Sequence, residues 1–284
     1  MTLNHRSRKA AFCTLLALLA AAGSFWAAPG LGRREKEKAG PPQDLPGHVK
    51  YLVRQLYGVS LDDSGAITSQ VRTLVIDSLT SWMSANGFEK EENPFPIDVR
   101  VRMHIEQDFS ELQYPFFGKV VVFARPWNGS TLIGAGYTLG WSDFERVNVL
   151  ALFENKDGKT NRVALTDFAP RTDMHYAFLA PSPAGAFRFI VYGNRLGKSQ
   201  PRLSAILYSF DGLKLSNLWE QRDLYDGKIS VSPPTVEIRY LIEQEYIQAV
   251  AQGQWPPWHE AIYKATPEGL TLLSEKLAPY QSSP

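Results

Sequence analysis

Leu152-Phe153 leading to Asp157-Gly158, Leu207-Tyr208 leading to Asp211-Gly212, and Ile262-Tyr263 leading to Glu268-Gly269 are three versions of one pattern. In each, an apolar–aromatic pair precedes an acidic residue plus glycine, and alternating apolar residues follow: Val163 and Leu165, Leu213 and Leu215, Leu270 and Leu272. The aromatic recurs every 55 residues. An acidic residue with glycine supplies turn chemistry between two runs of period two, so each stretch predicts a β-hairpin in a repeated β architecture.

Outward from these hairpins the period stays at two. Strands are expected at 119–123, 131–141, 146–154, 161–167, 173–179, 186–192, 202–210, 213–219, 228–231, 235–242, 260–264 and 269–274, with a short helix at 243–250. The continuous apolar run Lys119–Phe123 reads as a central strand. Val99, Val101, Met103 and Ile105 alternate with Arg100, Arg102, His104 and Glu106, which reads as a half-exposed strand. Grouped by hairpin, the strands make three four-stranded antiparallel units ending near Pro170, Tyr225 and Pro279. Such units suit either a propeller-like array or a large curved meander or sandwich.

Before Pro96 the period is helical. Val49, Leu52, Val53 and Leu56 form one stripe, and Ile67, Val71, Leu74, Val75, Leu79, Trp82 and Met83 form a second, longer one, capped by Ser64 and stopped by Gly87. The expected class is therefore mainly β with an N-terminal helical pair, α+β, with a helical segment at 47–96 and the repeated antiparallel β domain at 97–284.

The first residues address the chain. Arg6, Arg8 and Lys9 precede the apolar run Ala10–Ala22, and Ala20 and Ala22 sit where a signal peptidase requires small residues. Residues 1–22 are read as a secretory signal peptide, or as an uncleaved anchor if the apolar stretch extends to about residue 28. Residues 23–46 follow as a tether rich in proline, glycine and mixed charge. The chain carries 30 basic and 29 acidic residues. Removing 1–22 takes three basic ones, leaving 27 against 29 and a net charge of −2. It also removes Cys13, the single cysteine, so stability must come from the core and not from disulfides. Near-neutral charge without a basic cluster argues against nucleic acid as a partner. The membrane enters only through the possible N-terminal anchor.

Motifs for chemistry are missing. His259-Glu260 begins a zinc-protease pattern, but position 263 is Tyr; neither a Gly-x-Ser-x-Gly elbow nor a phosphate loop occurs. No metal, cofactor or catalytic residue is assigned. Arg171, Asp173 and His175 alternate on one strand face, a pattern that solvated faces commonly show. The aromatic residues point instead to binding. Trp255 and Trp258 flank Pro256-Pro257 in a stiffened loop beside His259 and Glu260, and Trp127 precedes Asn128-Gly129 at a turn. Indoles on rigid loops stack on sugar rings or on partner proteins. The expectation is an exported, non-enzymatic β protein that binds an envelope protein or saccharide through Trp127, Trp255, Trp258, His259 and Glu260. The alternative is an envelope hydrolase acting on a carbohydrate with strand-end carboxylates, for which Glu237, Asp226 and Glu260 are the candidates.

Overall fold

In a computed structural model, residues 40, 42–56, 59–86, 88, 95–108, 119–139, 147–168, 173–195 and 200–279 are described. The signal segment, most of the tether, Arg171 and Trp141 lie outside them. Among the described residues three helices come first: α1 (Leu45–Leu56), α2 (Leu61–Ala85) and α3 (Ile97–Asp108). The Asp44 carboxylate accepts a hydrogen bond from the Gly47 backbone N–H at 2.7 Å, capping the start of α1. Val49, Leu52 and Leu56 of α1 join Val71, Val75, Leu79 and Met83 of α2 in one core, as their spacing requires.

The α3 helix corrects the sequence reading of 99–106 as a strand. Val101 and Ile105 are fully buried, whereas Met103 is 49% exposed. The alternation in the sequence coexists with an i, i+4 apolar pair, and Asp98 in the first turn favours the helix through its dipole. His104 stacks on Trp82 of α2 at 4.0 Å.

Eleven strands follow among the described residues, in two antiparallel meanders. The first sheet holds β1 (Val121–Trp127), β2 (Ser130–Leu139), β3 (Val147–Lys156) and β4 (Lys159–Phe168) in that order. The second holds β5 (His175–Phe178), β6 (Phe187–Arg195), β7 (Arg202–Phe210), β8 (Leu215–Ser232), β9 (Thr235–Leu241), β10 (Trp258–Thr266) and β11 (Gly269–Ala278). A short helix, α4 (Glu243–Ala251), joins β9 to β10. Neither sheet closes. The sequence reading of 119–123 as a central strand is corrected, because β1 lies at a sheet edge. The expected strands 213–219 and 228–231 are one long strand, β8, bent where Asp223 and Asp226 take positive φ and the register shifts between Tyr225 and Lys228.

The three quoted stretches form the β3–β4, β7–β8 and β10–β11 hairpins. Each ladder shifts register at the same place, between Leu152 and Phe153, Leu207 and Tyr208, and Ile262 and Tyr263. The aromatic rings enter different surroundings. Phe153 packs toward the helices, Tyr208 lies between the sheets, and Tyr263 is half-buried against Trp219.

The four-stranded sheet is the middle layer. Ile133, Ala135, Tyr137 and Val149 face the helices, while Phe123, Leu132, Leu150 and Leu152 face Phe187, Phe189, Ile206 and Phe210 of the second sheet. This two-sided burial explains glycines inside β2: a Cβ at Gly134 would lie 2.0 Å from the Phe123 ring, so the bare backbone makes room for it. The second sheet curls around a core of its own, formed by Ile190, Leu207, Val236 and Ile238. Burial of this kind contributes roughly 25 cal/mol per Å² of apolar surface and replaces any covalent staple.

Candidate functional site: a cleft between two sheet edges

Strand β1 ends one sheet and β5 ends the other, and a cleft of about 460 Å³ lies along them. Its lining includes five consecutive β1 residues, Val121 to Arg125, with Asp98 of α3, His175, Tyr176 and Phe178 of β5, and Tyr192 of β6. Aromatic packing positions the floor. Phe123 meets Tyr176 at 4.8 Å and Phe178 at 5.2 Å, both edge-on. The Tyr176 hydroxyl donates to the Val121 carbonyl at 3.2 Å. It reaches that atom over Gly136, where a Cβ would come within 2.3 Å of the hydroxyl. Burial raises the Tyr176 pKa well above the usual phenol range, so the group remains a donor.

The rim is polar. His175 Nε2 lies 3.3 Å from Asp173 Oδ2, and the ring stacks on Tyr192 at 5.4 Å. The other oxygen of Asp173 accepts a hydrogen bond from the Asn194 backbone N–H, which fixes the carboxylate. The Arg125 guanidinium lies over the Phe178 ring at 4.6 Å. The described lining residues include His175, whose partner Asp173 lies beside the cleft, but no serine, threonine, cysteine or lysine that the pair could activate as a nucleophile. Among the described residues no group of three or more histidines, cysteines and acids is placed to hold a metal. The arrangement can bind through backbone, aromatic faces and a few charges.

The residues singled out in the sequence fall into two separate places. Trp258 is 4% exposed and packs with Tyr225 and Leu241, with Lys228 Nζ 5.4 Å and the Arg239 guanidinium 5.3 Å from its ring. Trp255 is 63% exposed. His259 Nε2 lies 3.0 Å from a Glu245 oxygen of α4 and Nδ1 lies 3.2 Å from a Glu275 oxygen of β11. Glu275 also accepts from the Tyr240 hydroxyl at 2.7 Å, and this bond, with a further one from His259, holds its carboxyl below the usual range. Glu260 is paired with Arg239 at 3.0 Å and Lys276 at 3.1 Å. His259 and Glu260 therefore tie strands and α4 together.

Trp127 stands elsewhere. Its Nε1 donates to the Gly185 carbonyl at 2.9 Å and its ring packs on Phe210, at the far end of β7. The Trp258 cluster holds Tyr225, which pairs with Arg202 at the start of β7. At about 3.3 Å per residue the two ends of β7 are roughly 26 Å apart. The structure does not bring Trp127 to the Trp255–Glu260 segment, which is not wholly the expected loop, because Trp258, His259 and Glu260 begin β10. The three carboxylates of the hydrolase alternative sit in different settings, with Glu237 and Glu260 diagonal to each other across β9 and β10. Asp226 is half-buried, its carboxyl pushed up by burial and drawn partly back by Lys228; Glu237 is exposed on β9; Glu260 is already held by its two cations.

Sequence reasoning missed the β1 edge. One signal was present: Pro126 falls inside the run, and a strand accepts proline where the missing N–H faces no neighbour. No protein-family model, curated protein or solved structure matches this chain.

Proposed function

We propose that this is an exported, non-enzymatic binding module of the cell envelope that engages a protein partner through the cleft between β1 and β5. One observation carries the reading: two sheet edges border an open cleft lined by the β1 backbone, by aromatic residues of β1, β5 and β6, and by Asp98, Arg125 and His175. Ligand sites commonly combine an apolar floor with a few placed polar groups. A saccharide partner is the rival within this reading, and Trp255 is the exposed indole that would serve it. The basic segment and apolar run at residues 6–22 support export, and the tether would hold the domain clear of a membrane. We also read the three hairpins as copies of one four-stranded unit, supported by their common register shift.

The test places a photoreactive phenylalanine analogue at Arg125 or at His175 in the producing cell, with the same analogue at Leu213, which is 93% exposed and outside the cleft, as control. Light-dependent adducts to one envelope protein, identified by mass spectrometry and absent from the Leu213 control, are expected. Adducts equal at all three sites, or only to glycan, overturn the proposal.

A further inference from the structure

We infer that the cleft takes an extended polypeptide that adds to β1 as a fifth strand, pairing with the backbone of Val122 and Ala124. The inference rests on the proposed role of the cleft and specifies its ligand. It follows from hydrogen-bond parity along β1.

The β1–β2 turn has two residues, Asn128 and Gly129, both at positive φ, with Trp127 opposite Ser130. In a two-residue hairpin the flanking residues exchange both of their hydrogen bonds across the ladder. Trp127 therefore directs its N–H and C=O toward β2, as do Arg125, Phe123 and Val121 by alternation. Val122, Ala124 and Pro126 direct theirs the other way, toward the free edge. Pro126 agrees with this parity, because its nitrogen carries no hydrogen and would break the ladder at an inward position. Ladders further along the sheet agree too. Lys156 and Lys159 flank the two-residue turn Asp157-Gly158, so Lys156 and Glu154 bond toward β4 while Asn155 and Phe153 bond toward β2, where they stand opposite Thr131 and Ile133. Among the described residues no strand pairs with this edge, which thus offers two N–H and two C=O groups from Val122 and Ala124, and both residues line the cleft.

The chemical complement of a row of alternating amide donors and carbonyl acceptors is another backbone. Strand addition supplies affinity through the main chain and specificity through alternate side chains. From Val121 to Arg125 the edge spans about 13 Å, enough for four to five ligand residues at roughly 3.3 Å each. Pro126 limits the pairing at one end. Alternate ligand side chains would face Phe178 and Tyr192, and the intervening ones Asp98 of α3. The preferred ligand therefore alternates apolar residues with basic ones.

A phage library of random linear peptides, selected on the immobilised protein, is the probe. Selected peptides are expected to alternate apolar and basic residues and to slow hydrogen exchange at the Val122 and Ala124 amides, leaving Val121 and Phe123 protected with or without peptide. Ala124→Pro removes an outward N–H and should weaken those peptides at least about tenfold with little change in melting temperature. Should that variant unfold, the exchange pattern of the unaltered protein decides alone. Peptides that bind without protecting Val122 and Ala124 overturn strand addition while leaving the cleft as a protein-binding site. Failure to select any peptide that competes with the cross-linked partner overturns it as well. Absence of any cross-linked protein removes the underlying reading.

Discussion

Arg188 Nη1 donates a 2.7 Å hydrogen bond to the carbonyl of Thr266, 78 residues later in the chain. Its Nε donates at 2.9 Å to the carbonyl of Ala180. One side chain on β6 thereby fastens both the turn of the last hairpin and the loop after β5, which holds the second sheet in its curl. Burial lowers the Arg188 pKa, yet the group remains cationic across the physiological range.

Arg188→Met keeps the apolar stem but leaves two carbonyls without their donor. Hydrogen bonds to charged groups contribute about 1.5–3 kcal/mol each. The variant is expected to lose about 2–4 kcal/mol in urea unfolding, with the β10–β11 hairpin becoming the fastest-exchanging part of the sheet. A loss under about 0.5 kcal/mol would show that apolar packing alone maintains the curl.

The hairpins were legible because their signal is local. Asp157 and Gly158 both adopt positive φ, as an Asp-Gly turn requires, and β7 begins and ends where its apolar run does. Two features were hidden for a physical reason. In Ile97–Asp108 the apolar residues satisfy a period of two and an i, i+4 pair together, and only contact with α2 and β1 decides between them. The cleft is a property of two strands far apart in sequence, and no spacing within either strand reports their proximity.

The helical assignment of 97–108 makes a sharp contrast. A strand would place Met103 and Ile105 on one buried face, whereas α3 buries Ile105 and leaves Met103 half exposed. Ile105→Ala should cost about 2–5 kcal/mol. Met103→Ala should stay within about 0.5 kcal/mol of the unaltered protein. Equal losses in chemical denaturation would favour the strand.

Two carboxylates predict opposite acid behaviour. The Glu275 carboxyl is held below its ordinary value of 4.5 by Tyr240 and His259, so its contribution is present above that value and is lost as pH falls through the lower, folded one. Asp226 has its carboxyl raised above 3.8 by burial, so its ionised form costs stability once pH rises through that raised value. Glu275→Gln should flatten the acid limb of the melting-temperature profile. Asp226→Asn should raise the melting temperature near pH 7, the more so because residue 226 sits at φ 46, a conformation asparagine tolerates well. Unchanged profiles in both variants would show that neither network governs acid stability.

Trp255 and Trp258 stand three residues apart on opposite sides of Pro256-Pro257, and the structure assigns them different work. Trp258 packs with Tyr225 and Leu241 beside the cationic groups of Lys228 and Arg239, and its removal leaves a cavity among them. Trp258→Ala should therefore cost about 3–5 kcal/mol. Trp255, at 63% exposure, should cost less than about 0.5 kcal/mol when replaced by alanine. If the partner of this protein is a saccharide and not a polypeptide, Trp255→Ala is the variant that loses retention on a glycan array, and Ala124→Pro is the one that keeps it. The reverse pattern, with peptide capture lost only in Ala124→Pro, is the outcome the open β1 edge predicts.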